Sequence, residues 1–552
     1  MRHYVSPEEP DNFTFRIIDN GTAVVITGYV GSDTDVRIPS HIQGTPVVRI
    51  GPNAFHGKGL TSVTIPDSVM YIGTMAFAWN QITSLIIGSG VTTIESDAFA
   101  NNQLSNIVIP DSVTHIGDLA FLDNRLRSVS IPYGVTYIGR GAFYRNRLRS
   151  VSISDSVTHI GSTAFFDNRL RSVSIPYGVT HIGNRAFYRS GLRSVSIPNS
   201  VTHIGTEAFR RNRLAHVEIP NSVTYIEANA FSDNRLASVV ISENLTTFNY
   251  SVFARNNLAT VEIPNSVTVI PGGAFMDNRL TSIVIPGNVT HIYREAFAGN
   301  QISSAAISHG VLAIKYGAFR DNRLTHIDIP ASVTYIGNQA FQNNRLYSVT
   351  LPNSLEHIGM SAFRINQLTS VTIPYGITTL YGSVFSENQL TSVYIPASVT
   401  VIWGGAFAYN LLASIAIPAS VTVIHGSAFE NNQLVSITIP YGVSEIGAMT
   451  FRNNQLTEVS LPDSLTQIGN LAFWNNQLTS VTIPDAITSI GARAFANNPI
   501  KSVTIGADVS FAFGSDTFPG GFLNTYRDED RRAGTYTHPG DERGWRWDVE
   551  FR

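Results

Sequence analysis

The sequence predicts a repeat solenoid of short parallel β-strands, with a one-turn helical or irregular segment in each coil and a cap at both ends. Three observations predict it. Phenylalanine recurs every 22 residues from Phe55 to Phe495, so 440 residues hold 20 intervals without one insertion. A Leu or Ile follows five residues after each of these phenylalanines. Apolar residues make up 43% of the chain, and a 22-residue unit is too small to bury its own, so neighbouring units must stack.

Each unit has the same internal pattern. Counted from the Leu or Ile as position 0, it reads L-x-x-V-x-I-P-x-x-V-x-x-I-G-x-x-A-F-x-x-N-x, and residues 368–389 are a typical copy. Apolar residues at positions 3 and 5 alternate with Ser or Thr at positions 2 and 4, which indicates a short strand. The Pro that follows ends this strand because it lacks a backbone donor. The V-T-x-I-G stretch predicts a second short strand with its Gly in a turn, and x-x-A-F has room for one helical turn.

This repeat resembles the BspA-like class of bacterial leucine-rich repeats in its strand L-x-x-V-x-I-P, its turn I-G-x-x-A-F and its 22-residue period. The resemblance covers roughly residues 13–525, and residues 26–55 are similar to that family's N-terminal capping unit. One departure is that the family often has Cys three residues after the Phe, where this chain has Asn in 19 of 21 units. The resemblance implies a leucine-rich-repeat fold and a surface-exposed, non-catalytic recognition protein, often an adhesin.

The two ends of the chain predict caps. Apolar residues alternate on both sides of Asp19-Asn20-Gly21, a strong hairpin signal, and a hairpin there would cover the open edge of the first coil. We therefore expect residues 1–50 to form an N-terminal capping hairpin and first unit, and residues 51–525 a solenoid of about 21 to 22 units. Residues 526–552 form a charged and aromatic C-terminal tail, interpreted as a second cap.

The tail ends in an amphipathic strand. Trp545, Trp547, Val549 and Phe551 fall on one of its faces, and residues 534–537 provide a pairing partner. A docking or export tail is the alternative interpretation.

Two polar columns favour a structural role over a functional one. The Asn three residues after each Phe lies at a tight bend, where a buried amide can both donate to and accept from the backbone of neighbouring coils. Position 11 holds His115, His159, His181, His203, His291 and His357. Imidazoles on adjacent coils about 5 Å apart could bind a metal, but no carboxylate accompanies them at this position in the neighbouring coils. The sequence therefore predicts an exposed, interchangeable position and no metal site.

Several function classes are disfavoured by composition and motifs. The absence of cysteine excludes disulfides and thiolate chemistry, and the net charge of −3 gives no global indication of nucleic-acid binding. No apolar run is long enough for a membrane span, and the first residues, MRHYVSPEEPDNFTF, do not predict a signal peptide. We find no P-loop, dinucleotide fingerprint, H-E-x-x-H or G-x-S-x-G motif. The sequence thus predicts neither an enzyme nor a cofactor.

Charge is concentrated in one stretch. Residues 121–215 hold 14 Arg against four acids, a local charge of +10 in a chain whose net charge is −3. Stacked like charges repel, so an anionic ligand is one explanation of the accumulation. Duplication is the other, because residues 124–145 and 168–189 are nearly identical. The candidate ligand band comprises Arg125, Arg127, Arg147, Arg149, Arg169, Arg171, Arg193 and Arg213.

These patterns favour a monomeric recognition protein that acts by binding. The Ser and Thr of positions 2 and 4 predict a hydroxyl-lined face suited to broad contact with a protein or glycan and not to a deep small-molecule pocket. We expect a protein or glycan ligand, with an anionic polymer as one candidate, and no nucleic acid. Family resemblance implies an extracellular or cell-surface adhesin, and an intracellular or periplasmic interaction scaffold is the alternative.

Overall fold

Most coils contribute two short strands to parallel ladders, as the repeat predicts. The computed structural model describes residues 10–512, 516–540 and 544–549. The first strand occupies positions 2 to 4 or 5, where apolar and hydroxyl side chains alternate. First strands span Asp35–Arg37, Ser62–Thr64, Ser84–Ile86, Ser128–Ile131, Ser150–Ile153, Ser172–Ser174, Ser194–Ser196, His216–Glu218, Ser238–Val240, Ser282–Ile285, Ser304–Ile307, His326–Asp328, Ser348–Thr350, Ser370–Thr372, Ser392–Tyr394, Ser436–Thr438, Glu458–Ser460, Ser480–Thr482 and Ser502–Ile505.

The second strand precedes the position that usually holds Gly, and it has two residues in every coil but the first. Its inward residue, usually Ile, is buried in every coil that has one except the last, where Phe511 is half-buried. Second strands span Thr45–Ile50, Tyr71–Ile72, Thr93–Ile94, His115–Ile116, Tyr137–Ile138, His159–Ile160, His181–Ile182, His203–Ile204, Tyr225–Ile226, Val269–Ile270, His291–Ile292, Ala313–Ile314, Tyr335–Ile336, His357–Ile358, Thr379–Leu380, Val401–Ile402, Val423–Ile424, Glu445–Ile446, Gln467–Ile468, Ser489–Ile490 and Ser510–Phe511. The chain is thus a parallel β-solenoid of about 22 turns, which confirms the predicted fold class.

The described chain divides into two compact units. The first comprises the described residues up to Val267 together with Gly273–Arg279, and the second comprises Thr268–Gly272 and the described residues from Leu280 onward. In the first unit the second strands continue the N-terminal hairpin as one 12-stranded sheet, whereas in the second unit they form a five-stranded and a seven-stranded sheet. First strands pair mostly two by two, in register at a spacing of 22 residues.

A column of stacked phenylalanine rings fills the core of each unit. Ring centroids are 4.8–5.8 Å apart from Phe55 to Phe275 in the first unit. They are 5.0–5.9 Å apart from Phe297 to Phe518 in the second. The repeat phenylalanines are fully buried, as are the Leu or Ile of position 0. A single large ring per coil therefore plugs the core, as the periodicity predicts.

The segment around each Phe is a run of turns that uses left-handed backbone. Two residues per coil, two before and two after the Phe, have φ near +55°, as at Met75 and Trp79. Alternate amides bond within the turn and to the next coil: Ala76 N–H donates to Gly73 O at 3.1 Å, and Phe77 N–H to Ala98 O at 2.8 Å. The turns therefore carry a backbone ladder of their own between coils.

The Gly of the I-G pair has a different role from the predicted turn. Its φ is not positive at Gly117 or Gly139. A Cβ on Gly117 would lie 2.6 Å from Ser96 N, and one on Gly139 would lie 2.4 Å from the carbonyl carbon of Gly117. Glycine permits neighbouring coils to approach closely here.

The Asn column confirms the predicted structural role. Asn322 Oδ1 accepts from Ile302 N–H at 3.0 Å, and its Nδ2 donates to the carbonyls of Phe297 and Phe319 at 2.9 and 3.2 Å. The side chain is buried. Since the same three bonds recur along both units, the amide joins adjacent coils and satisfies backbone groups that the turn leaves open.

The N-terminal cap is the predicted hairpin. Strand Phe13–Ile18 pairs antiparallel with Ala23–Tyr29 across the 3-10 turn Asp19–Gly21, and a further 3-10 turn spans Pro10–Asn12. Ala23–Tyr29 pairs in parallel with the second strand of the first coil. His41–Ile42 adds a short antiparallel strand. The aromatic rings of the hairpin cover the first core ring, with Tyr29 and Phe55 5.5 Å apart.

The C-terminal cap combines the predicted strand pair with a helix that the sequence pattern did not predict. Gly534–Thr537 pairs antiparallel with both Ser502–Ile505 and Arg546–Val549, which extends the ladder past the last coil. The unpredicted α-helix spans Phe522–Asp528. Phe551, placed on the apolar face of the tail strand, lies outside the described residues.

Burial of aromatic side chains holds this cap in place. Trp545 is buried and its indole N–H donates to Pro519 O at 2.7 Å. Burial raises the pKa of Tyr536 to about 12. Across the described part of the chain, we find no helix with the length and apolarity that a membrane crossing requires.

Candidate anion-binding surface

The residues on either side of the buried position 0 point away from the core. Leu170 is fully buried while Arg169 and Arg171 are exposed. The alternation continues backwards, because Asn168 is buried and residue 167 is not. Positions 19, 21 and 1 of consecutive coils therefore form one exposed surface of three columns.

The eight predicted arginines lie on this surface, and all are exposed. We call them the arginine band: Arg125, Arg127, Arg147, Arg149, Arg169, Arg171, Arg193 and Arg213. Backbone hydrogen bonds hold its members one coil apart. Arg149 N–H donates to Arg127 O, and Arg193 N–H to Arg171 O, both at 2.8 Å. The fold thus places like charges at the spacing of adjacent strands, about 4.8 Å, where they repel.

Ion pairs divide the 14 arginines of residues 121–215 into two groups. Among the described residues, no carboxylate lies within 4.0 Å of any member of the arginine band. By contrast, Arg140 lies 3.6 Å from Asp118, and Arg185 lies 2.5 Å from Glu207. The net charge of +10 for residues 121–215 does not distinguish paired from unpaired arginines, because pairing depends on which column a side chain occupies.

The paired group forms a network on the turns. Arg210 contacts both Glu207 and Asp233, and Arg255 lies 2.6 Å from Asp233. Burial alone would raise the pKa of Glu207, but hydrogen bonds and charge from Arg185 and Arg210 lower it. The pKa of Asp233 is lowered in the same way by Arg255 and Arg210. These arginines have intramolecular partners and serve stability.

Two open cavities lie side by side on the exposed surface. One of about 520 Å³ has four members of the band in its lining: Arg169, Arg171, Arg193 and Arg213. The other, of about 450 Å³, is lined by Arg125, Arg147 and Arg169. Arg169 and Asp167 belong to both. Arg127 and Arg149 line neither cavity.

The structure adds three arginines that the candidate set lacked. Arg145 lines the smaller cavity, and Arg189 and Arg211 line the larger one. All three occupy position 19 and adopt positive φ, between 52° and 56°. The signal in the sequence was the odd–even alternation through positions 19, 21 and 1, which places them beside the band.

The strand face next to the arginine band carries hydroxyl and aromatic groups. Ser128 pairs with Ser150 and Ser172 with Ser194, and these serines are exposed. In two of the same coils, Tyr133 and Tyr177 at position 7 are each 78% exposed. Cations, hydroxyls and aromatic faces therefore occur together in this stretch.

The histidine column forms a stack of rings. Centroids of His159, His181 and His203 are 5.1 and 5.6 Å apart, and Tyr225 continues the stack at 5.0 Å. Burial and the two flanking imidazoles lower the pKa of His181. His203 Nε2 lies 3.0 Å from Glu227. Within the described residues, no group of three or more His, Cys, Asp or Glu is arranged to hold a metal.

Comparison with protein families gives a match over most of the chain. The model of the BspA type leucine-rich repeat region, which has six copies of the repeat, matches residues 48–171, 158–281, 290–412 and 402–520. No curated protein gives a significant match.

Solved structures of bacterial leucine-rich repeat proteins are similar to this chain. A leucine-rich repeat protein from T. pallidum is 24% identical, with 36% of this chain and 86% of that one covered and a TM-score of 0.27. A leucine rich cell surface protein from Faecalibacterium prausnitzii is 19% identical, covering 92% and 95%, with a TM-score of 0.25. A leucine-rich repeat protein from Bacteroides ovatus is 19% identical, covering 91% and 100%, with a TM-score of 0.27.

Proposed function

Because the chain belongs to the BspA-type leucine-rich repeat family, we propose that it is a non-catalytic recognition protein, a cell-surface or secreted adhesin whose arginine band binds a sulfated glycan. Its repeats provide an interaction surface. The observation that carries the proposal is that eight stacked arginines are exposed and lack carboxylate partners among the described residues. Guanidinium groups form paired, charge-assisted hydrogen bonds with anionic oxygens, and a regularly charged polymer would relieve the repulsion between coils.

The surroundings of the band support a glycan as the carrier of these charges. Exposed serines of the first strands can exchange hydrogen bonds with sugar hydroxyls. Tyr133 and Tyr177 offer aromatic faces that suit the apolar side of a sugar ring. A broad face of repeated groups fits an extended ligand better than a small enclosed one.

The same surface favours binding over catalysis. Catalysis requires unlike groups converging on one point. Here the exposed columns repeat a small set of groups from coil to coil, chiefly Arg with Asn and Asp at the cavity walls. The ligand is therefore held and not transformed.

Substitution of one column of the band tests the proposal. We replace Arg127, Arg149, Arg171 and Arg193 with Ser, the residue common around them, and measure heparin affinity by surface plasmon resonance at several salt concentrations. The account predicts at least a tenfold loss of affinity and a weaker salt dependence, since exposed charges are screened within about 8–10 Å. Folding should be unchanged or slightly more stable because stacked like charges are removed.

The matched control removes the same charge elsewhere. Arg279, Arg323, Arg345 and Arg493 are exposed and lie outside residues 121–215, and their replacement by Ser should leave heparin affinity nearly unchanged. Equal losses in both variants would indicate generic charge attraction and overturn the proposal. Absence of heparin binding by the parent protein would leave duplication as the sufficient explanation of the band.

A further inference from the structure

The repeat is interrupted at one coil within the arginine band. Where neighbouring coils have Asn-Arg at positions 20 and 21, this coil has Ser190-Gly191. Gly191 has φ of +81°, whereas Arg169 and Arg213, one coil away on either side, do not adopt positive φ. The sequence and the backbone therefore depart from the repeat together.

The interruption opens a space in the column of side chains. The cavity of about 520 Å³ is centred on this coil and lined by Gly191. Six arginines border it, against one carboxylate, Asp167, which lies 3.9 Å from Arg189. The arginines are Arg169, Arg171, Arg189, Arg193, Arg211 and Arg213. In this backbone a Cβ at residue 191 would lie 3.2 Å from Leu170 O. A side chain there therefore requires the backbone conformation of the neighbouring coils, whose residues at position 21, Arg169 and Arg213, line the cavity.

The interruption also leaves one backbone donor, the Leu170 N–H, without its usual acceptor. In the next coil, Leu192 N–H donates to Asn212 Oδ1 at 2.9 Å, and one coil earlier Leu148 N–H donates to Asn168 Oδ1 at 3.0 Å. The corresponding acceptor for Leu170 N–H would be the side-chain amide oxygen of an Asn at residue 190. This residue is Ser, and its hydroxyl donates to Phe165 O at 2.6 Å instead. Among the described residues the Leu170 N–H forms no hydrogen bond, and Leu170 lines the cavity. A buried donor without a partner is unfavourable, so the site favours a ligand with acceptor oxygens.

We propose that this cavity binds one tetrahedral oxyanion, a sulfate or phosphate ester group of the ligand, with the arginines around it and the Leu170 N–H as donors. The identification of its carrier as a glycan rests on the function proposed above, but the anion site does not. Such a site would fix the position of one group of the ligand, while the rest of the arginine band contacts the following charges.

Restoring the repeat consensus tests the site. In Ser190→Asn the new amide would accept from Leu170 N–H, as Asn168 and Asn212 do for their partners, so this variant should melt at a higher temperature. The double variant Ser190→Asn/Gly191→Arg also fills the cavity with a side chain. It adds a positive charge, so non-specific attraction would strengthen anion binding, whereas loss of a specific site would weaken it.

Binding of inorganic sulfate and of inorganic phosphate is measured by isothermal titration calorimetry at constant ionic strength, set with sodium chloride. The parent protein should bind one ion per chain, and the double variant should bind it at least tenfold more weakly. The ion with the higher affinity identifies the ester as sulfate or phosphate. As a matched control, Lys58→Asn/Gly59→Gln restores the other coil that lacks this Asn, outside the band, and should not change affinity.

Two outcomes would overturn the site: no saturable binding of either ion to the parent, or equal binding to the parent and the double variant. Heparin binding separates this failure from failure of the proposed function. If heparin binds through the band while neither ion binds the parent, the anion site is wrong and the function stands. If sulfate binds but heparin does not, the site stands and the function is wrong.

Discussion

The arginine band, at positions 21 and 1, and the Asn column at position 19 of the last coils are columns of side chains with opposite hydrogen-bonding character. At position 19 of the last coils, Asn453 Nδ2 donates to Asn431 Oδ1 at 2.8 Å, and Asn475 Nδ2 to Asn453 Oδ1 at 3.1 Å. Asn497 continues this amide ladder. An amide both donates and accepts, so a stacked column of Asn satisfies itself. A column of Arg only donates, and it repels itself.

The cores beneath these two surfaces are alike. Phenylalanine rings are 5.3–5.6 Å apart from Phe121 to Phe209 and 5.1–5.7 Å apart from Phe407 to Phe495. The same fold therefore accepts either surface. The buried positions thus determine the coil, and the exposed positions beside the buried Leu vary without changing it.

The largest expected effect concerns the core and should be the same in both regions. Phe187→Ala and Phe451→Ala each remove a fully buried ring, and each should lower the free energy of unfolding by about 3–5 kcal/mol because of the cavity left. Urea denaturation measures both. If the two losses differed by more than about 2 kcal/mol, core and surface would not be independent.

The Asn column should show a smaller and position-dependent effect. Asn322→Ala leaves backbone groups of two coils unpaired and should cost about 1–3 kcal/mol of stability. Ser190→Ala should cost less, because that coil already lacks the amide bond to Leu170. Equal costs, measured in the same denaturation experiment, would contradict the role assigned to the Asn amide.

Arginines at position 1 of the last coils should create a second anion-binding surface there. Ala413, Val435, Thr457 and Thr479 occupy position 1 of four consecutive coils and are exposed. Their replacement by Arg should raise heparin affinity of the variant that lacks Arg127, Arg149, Arg171 and Arg193 by about tenfold, equivalent to 1.4 kcal/mol. Lys at the same four positions is the control, and should restore less because Lys lacks the paired donors of Arg. No gain with Arg would show that a column of charge is insufficient.

The smallest expected effect is that of the Glu207 and Asp233 ion pairs on folding stability at acid pH. The folded-state pKa values of Glu207 and Asp233 lie below their ordinary values. Their ion pairs therefore add stability above the unfolded pKa of about 4, and this stability is lost as pH falls through the folded-state pKa. Glu207→Gln/Asp233→Asn should flatten the stability curve between about pH 5 and 2.

Two exposed carboxylates outside the ion-pair network provide the control for this pH dependence. Asp463 and Asp485 are exposed, and no cation lies within 4.0 Å of them in the part of the chain that the structure describes. Replacement of both by Asn should leave the loss of folding stability at acid pH unchanged. An identical change in both variants would contradict a specific role of the network.

Periodicity made most of the fold predictable. The 22-residue spacing of Phe, the alternation at positions 2 to 5 and the Asp19-Asn20-Gly21 bend each correspond to the observed core column, first strands and hairpin. The left-handed residues were not predicted because Met75, Leu119 and Arg185 hold positions with positive φ where Gly or Asn is usual. Cooperative stacking imposes this conformation, and local propensity does not reveal it.

The candidate site was predictable in composition but not in geometry. The count of arginines located the stretch, and the column pattern identified eight of its exposed members. Which arginines are paired depends on contacts such as that of Arg185 with Glu207, 22 residues later. The space beside Gly191 arises from one missing side chain in a stack. The sequence shows this substitution, but the cavity is visible only in the structure because residues of the adjacent coils form its walls.

Hydrogen–deuterium exchange of the parent protein with and without a heparin oligosaccharide tests most directly whether the arginine band is the ligand site. We predict slower exchange for the backbone amides of residues 145–149, 167–171 and 189–193, and unchanged exchange for the corresponding positions around Asn453 and Asn475. Protection centred on the amide ladder, or spread evenly over all coils, would contradict the account.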